Sequence, residues 1–148
     1  MPRAEERTYT SDIGELRRMS SWWREWAVSN GLSADALDRG ELCLNEAAGN
    51  VIQHGARPCA ISIAFEADTD VVRMTVADNG EAFDPAAHPM ADLAASLDEA
   101  RPGGLGLRIL RMCAATMVYR RIDGWNTLTL TLSRSTSADQ SPPLRASG

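Results

Sequence analysis

Residues 41–55 read ELCLNEAAGNVIQHG, and the way this stretch folds decides how the rest of the chain is arranged. Leu44, Ala48 and Val51 recur at the spacing of a helical stripe, and Leu37 extends the stripe upstream. Ser33 supplies an N-cap, so the spacing predicts a helix from Ala34 to about His54, stopped by Gly55 with Pro58 just beyond. Opposite the stripe stand Glu46 and Asn50. At i and i+4 they set a carboxylate and an amide one turn apart on one face. Such a pair can hold a general base beside a metal-ligand oxygen. Glu41 and Asn45 repeat the spacing, and a polar helix face is usually just solvated, so the pattern alone does not choose between the pairs.

Working outward, Cys59–Glu66 and Val71–Asp78 alternate as strands and are joined by an acidic turn, which predicts a hairpin. Upstream, Glu6–Thr10 reads as a short strand. Ser11 or Asp12 then caps a helix carrying Ile13, Leu16, Met19, Trp22, Trp23 and Trp26, ended by Asn30-Gly31. A tryptophan-heavy core helix accounts for most of this pattern. Three tryptophans in five residues cannot share one stripe, however, so at least one is expected to be exposed, which makes this helix the candidate partner or dimer surface.

Downstream, residues 79–104 are rich in Pro, Gly, Ala and Asp and too long for an ordinary connection. They are expected to form a lid or a disordered insert, with a short helix possible at Met90–Ala100. A third helix starts at the glycines near 104 and runs to about Thr116. Strands at Met117–Ile122 and Thr127–Leu132 follow, joined by a turn at Asp123-Gly124. Residues 133–148 have nothing to bury and are expected to be a disordered tail, leaving one domain over 1–132. The order of elements implies a two-layer α/β sandwich of the α+β kind, with helices on one face of a mixed, mostly antiparallel sheet.

Composition narrows the chemistry. The chain has 148 residues, enough for one domain burying roughly two thirds of its unfolded surface. Its 15 cationic side chains are all arginine. Without lysine there is no Walker A loop, no third-strand kinase lysine and no Schiff base. The net charge of −5 disfavours direct nucleic-acid binding, although the segment from Arg101 onward is basic. Cys43, Cys59 and Cys113 lack metal-ligand spacing and read as small core residues in a reducing compartment. No signal core and no long apolar run is present. A cytoplasmic protein without membrane contact is expected.

Two further segments could carry chemistry. Asp78-Asn79-Gly80 ends a strand, and Asn-Gly is a common tight turn. Yet a strand-end carboxylate can accept from the amino group of a ring, and glycine lets that ring approach the backbone. Gly103-Gly104-Leu105-Gly106-Leu107 leads into a helix, where backbone N–H groups and the helix dipole can hold phosphate without lysine.

Taken in order, Glu46-x-x-x-Asn50, Asp78-x-Gly80 and Gly104-x-Gly106 resemble the N, G1 and G2 boxes of the Bergerat-fold ATPases. The strings ELCLNEAAGNVIQHG, VADNGEAFDP and GGLGLRIL look most similar to the anti-sigma factor serine/threonine kinases of the RsbW and SpoIIAB type. The resemblance runs from the first helix to the last strand. It implies a histidine-kinase-like ATPase domain that uses ATP and Mg²⁺. It selects Glu46 as the base and Asn50 as the Mg²⁺ ligand, because these precede Gln53-His54-Gly55 as in the family. It gives Asp78 and Gly80 to the adenine and Gly103, Gly104, Leu105 and Gly106 to the phosphates.

The family often has Gly-Thr at its last strand, where the hydroxyl supports the adenine contact. Here the string is Gly124-Trp125-Asn126-Thr127, so Asn126 or Thr127 fills that role. The implied activity is phosphorylation of a STAS-type anti-anti-sigma protein and sequestration of a sigma factor, by a homodimer. The alternative is a nucleotide-dependent binding module that transfers nothing. Arg101, beside the end of the lid, is the candidate cation for the γ-phosphoryl.

Overall fold

The structure, a computed structural model, describes residues 3–54, 58–82 and 102–134. In chain order these form β1 (Arg3–Thr10), α1 (Glu15–Ser29), α2 (Ala34–His54), β2 (Ala60–Ala67), β3 (Val71–Asp78), α3 (Pro102–Cys113), β4 (Thr116–Ile122) and β5 (Trp125–Ser133). The expected lid, its short helix, Arg101 and the expected tail beyond 134 lie outside the described residues.

The strands make one five-stranded sheet in the order β1-β2-β3-β5-β4, and every pairing is antiparallel. The expected α+β sandwich with a mostly antiparallel sheet is borne out, and among the described residues no parallel pairing is found. β4 enters at the edge and turns back through a two-residue hairpin, so β5, not β4, lies beside β3. Asp123 and Gly124 have φ of 51° and 83°, the left-handed pair that a twist-matched hairpin turn requires.

Strand alternation sends Ile61, Ile63, Phe65, Val72, Met74, Val76, Leu128, Leu130 and Leu132 to the face covered by the helices. Ser33 caps α2 as expected, accepting from the Ala36 N–H at 3.1 Å. At α1 the expected cap is corrected: Gly14 occupies the N-cap, and Ser11 Oγ instead accepts from the Cys59 N–H at 2.8 Å. Ser11 therefore joins the start of α1 to the entry of β2.

The tryptophans bear out the core-helix reading and overturn the expectation that one of them is exposed. Trp22, Trp23 and Trp26 are 4%, 0% and 4% exposed, so none forms a partner surface. All three rings converge on Phe65, with centroids 4.3, 5.0 and 5.4 Å away. Three features outside α1 allow this. Gly40 of α2 leaves a notch for Trp23, whose ring lies 2.0 Å from where a Cβ at residue 40 would sit. The Trp23 indole N–H donates to the Leu37 carbonyl at 2.9 Å, and the Arg7 guanidinium covers Trp22 at 4.7 Å.

The three cysteines are unbridged. Cys43 is fully buried on α2, hydrogen-bonded to Cys113 at the end of α3, and burial pushes its thiol up to about 12. A thiol so rarely ionised is a packing group, not a nucleophile. No helix among the described residues is long and apolar enough to cross a membrane.

Candidate functional site

Helix α2 divides its polar residues between two neighbours. Glu41 accepts from Arg24 of α1 at 2.5 Å, and Asn45 accepts from Ser20 of α1 at 3.1 Å. That pair serves to fasten α1 to α2. Glu46 and Asn50 are turned away from those contacts. Asn50 is a buried polar residue at 9% exposure, whereas Glu46 is half-buried. Burial alone raises the Glu46 carboxyl above the ordinary carboxylate range, and it joins no ion pair among the described residues. A half-buried carboxylate of raised basicity is suited to taking a proton.

A second group forms where β3, β5 and β4 end together. The register aligns Asp78 with Asn126, and Asn126 with Arg121, in one row across the sheet. Parity places Tyr119 on the same face of β4. Asp78 and Asn126 are 8% and 6% exposed. Asp78 Oδ1 accepts from the Gly80 N–H at 2.9 Å and from Asn126 Nδ2 at 3.0 Å. The Asn126 amide also donates to the Glu81 carbonyl at 2.5 Å, while its oxygen accepts from Tyr119 Oη at 2.7 Å and Arg121 Nη1 at 2.9 Å. Arg121 Nη1 donates in addition to the Gly80 carbonyl at 3.2 Å.

The chain after β3 is not a hairpin turn. Asn79 closes back on β2, its side-chain oxygen accepting from the Ala60 N–H at 2.8 Å. A Cβ at Gly80 would lie 3.1 Å from Asp78 Oδ1, tighter than ordinary contact, so this glycine protects the carboxylate's seat. Of the two alternatives on β5, Asn126 faces Asp78. Thr127 belongs to the opposite face by strand parity, paired with Ala77 and Arg120, and does not join the group.

The glycines of the third motif lie inside α3, not ahead of it. Pro102 begins the helix, since its fixed φ suits the first turn, and Gly103, Gly104, Leu105 and Gly106 follow within it. The first amides of a helix have no acceptor within it, and proline has no N–H. The backbone N–H groups of Gly103 and Gly104 are therefore the donors at this end, whereas Leu105 lies far enough into the helix for its N–H to enter the helical ladder. The two groups, Asp78-Gly80-Asn126 and Glu46-Asn50, are linked by no hydrogen bond among the described residues. Tyr119 and Arg121 were not singled out by sequence reading, although the alternation of β4 and its short hairpin place both on the inner face beside Asn126.

Residues 9–132 match the family of histidine kinase-like ATPase domains. The serine/threonine-protein kinase BtrW of Bordetella bronchiseptica is 39% identical over 113 residues, 74% of this chain and 80% of that protein. Among solved structures, the RsbU and RsbW domains of Rv1364c from Mycobacterium tuberculosis superpose with a TM-score of 0.61 at 20% identity. That match covers 90% of this chain and 34% of the other, so this chain spans about a third of the mycobacterial one. The histidine kinase domain of the blue-light-activated kinase EL346 from Erythrobacter litoralis gives a TM-score of 0.52 at 16% identity, over 82% of this chain and 60% of that one. These two likenesses concern the fold.

Proposed function

The chain belongs to the histidine kinase-like ATPase family, and on that premise we propose that it is an ATP-dependent serine/threonine kinase of the anti-sigma type. The observation that carries the reading is the division of α2: Glu41 and Asn45 are engaged with α1, whereas Glu46 has no ion pair among the described residues and its basicity is raised by burial. Identity with a protein named as a serine/threonine kinase supports the same assignment.

The residues present suit the ligands such a reaction needs. Asp78 has one oxygen fixed by two donors, which leaves Oδ2 to accept from the 6-amino group of adenine. The N–H groups of Gly103 and Gly104 would receive phosphate oxygens, aided by the helix dipole. Asn50 would contribute its amide oxygen to Mg²⁺, which when bound neutralises phosphate charge. Glu46 would take the proton of the acceptor hydroxyl. With no lysine in the chain, any side-chain cation near the γ-phosphoryl is an arginine.

The acceptor in this reading is a serine or threonine of a STAS-type anti-anti-sigma protein, and a homodimer of the chain alternates between that partner and a sigma factor. The test is transfer of label from ATP to the anti-anti-sigma partner, followed by intact mass. Wild type is expected to add one phosphoryl group to a hydroxyl residue, and Glu46→Gln to bind ATP but transfer none. Tight ATP binding with an unlabelled partner would favour a binding module instead.

A further inference from the structure

Asn126 uses all the hydrogen-bonding capacity of its side chain inside the protein. An amide offers two donor hydrogens and two acceptor lone pairs. Its hydrogens go to Asp78 Oδ1 and the Glu81 carbonyl, and its lone pairs to Tyr119 Oη and Arg121 Nη1. Asn126 therefore has nothing left with which to touch a base, and its part is to hold Asp78.

Both restraints on Asp78 lead back to one guanidinium. Asp78 Oδ1 is held by the Gly80 N–H and by Asn126 Nδ2. Arg121 Nη1 donates to the carbonyl of that same Gly80 and to the oxygen of that same amide. An ionised carboxylate and a carbonyl accept only, and a guanidinium donates only, so the polarity of the amide is fixed from both sides. The Tyr119 hydroxyl can donate or accept, which makes it an adjustable fourth member. Charge-assisted bonds are the stronger kind, so Arg121 is the principal anchor.

We propose that Arg121, with Tyr119 in support, is a positioning residue for adenine recognition, acting through Asn126 and Gly80 to aim the free oxygen of Asp78. This rests on the ATP reading above. An aimed Oδ2 accepts from the 6-amino group of adenine and faces the 6-oxo group of hypoxanthine oxygen to oxygen. The discrimination between the two bases therefore depends on how firmly the carboxylate is held, and Arg121 holds it from an edge strand without touching the base.

The experiment is calorimetric titration of the full chain with Mg·ADP and with Mg·IDP, for wild type, Arg121→Ala, Arg121→Lys and Tyr119→Phe. Wild type is expected to prefer ADP. Arg121→Ala should cut that preference about tenfold, mostly through weaker ADP binding, the size of one hydrogen bond to a charged group. Arg121→Lys, which keeps a cationic donor, should recover part of it. Tyr119→Phe removes a single hydroxyl and should cost about threefold, so it carries the test should Arg121→Ala not fold. Full retention of the preference in both Arg121→Ala and Tyr119→Phe overturns the inference, as does equal weakening of both nucleotides. A wild type that binds neither nucleotide, or binds both equally, overturns the adenine reading itself and this inference with it.

Discussion

The two ends of the buried sheet face are built on opposite rules. At one, Trp22, Trp23 and Trp26 close on Phe65, and the fit is so tight that the Trp26 indole N–H is buried with no hydrogen-bond partner among the described residues. A buried orphan donor costs about 1–3 kcal/mol, so packing there outweighs polar satisfaction. At the other end, Asp78, the Glu81 carbonyl, Tyr119 and Arg121 match every donor and acceptor of the Asn126 amide, yet one carboxylate oxygen of Asp78 is left over among the described residues. The apolar end is closed by packing, leaves even its unpaired donor out of reach of solvent, and holds the fold. The polar end is equally fixed, but a fixed group with one vacancy is a recognition site.

Helix α2 carries two glycines in unlike surroundings, of which Gly40 tests the tightness of the apolar end. Gly40→Ala would drive a methyl into the Trp23 ring, where the nearest carbon lies 2.0 Å away. The expected loss is about 3 kcal/mol or more of unfolding free energy, read by urea denaturation. A loss below about 0.5 kcal/mol would mean that the tryptophan cluster is loosely packed. Gly49→Ala meets nothing within 4 Å among the described residues and replaces a poor helix former. It should raise stability by up to about 1 kcal/mol in the same assay.

The smallest effect concerns Glu46 and pH. Burial raises its carboxyl above the ordinary carboxylate range, so the folded chain holds this proton more tightly than the unfolded one. Stability from this group is then present at low pH and lost as pH rises through the raised value. Glu46→Gln should be slightly more stable than wild type at neutral pH, and the advantage should vanish below about pH 4. Thermal melts at the two pH values check the sign, and a variant destabilised at neutral pH would show that the carboxylate has a stabilising partner.

Local pattern carried much of this in the sequence. The hairpins β2–β3 and β4–β5, the span of α2 and the turn at Asp123-Gly124 depend on alternation, caps and turn residues, all of them short-range. What escaped was long-range. Burial of three tryptophans required Gly40 and Phe65 to meet α1, and nothing within α1 records that. The choice of Asn126 over Thr127 depends on which face of β5 lies inward, and the roles of Tyr119 and Arg121 depend on the register of β4 against β5. The split between Glu41-Asn45 and Glu46-Asn50 came from family resemblance at the level of sequence. The contacts to Arg24 and Ser20 supply its physical reason.

The most direct test of the account is binding of Mg·ADP to Asp78→Asn beside wild type, with melting temperature measured on the same samples. Asparagine keeps an oxygen for Gly80 and Asn126 but turns an NH₂ toward the donor group of adenine. The account predicts an affinity about a hundredfold lower, about 2.7 kcal/mol, with the fold intact. Unchanged affinity in a normally folded Asp78→Asn would contradict it.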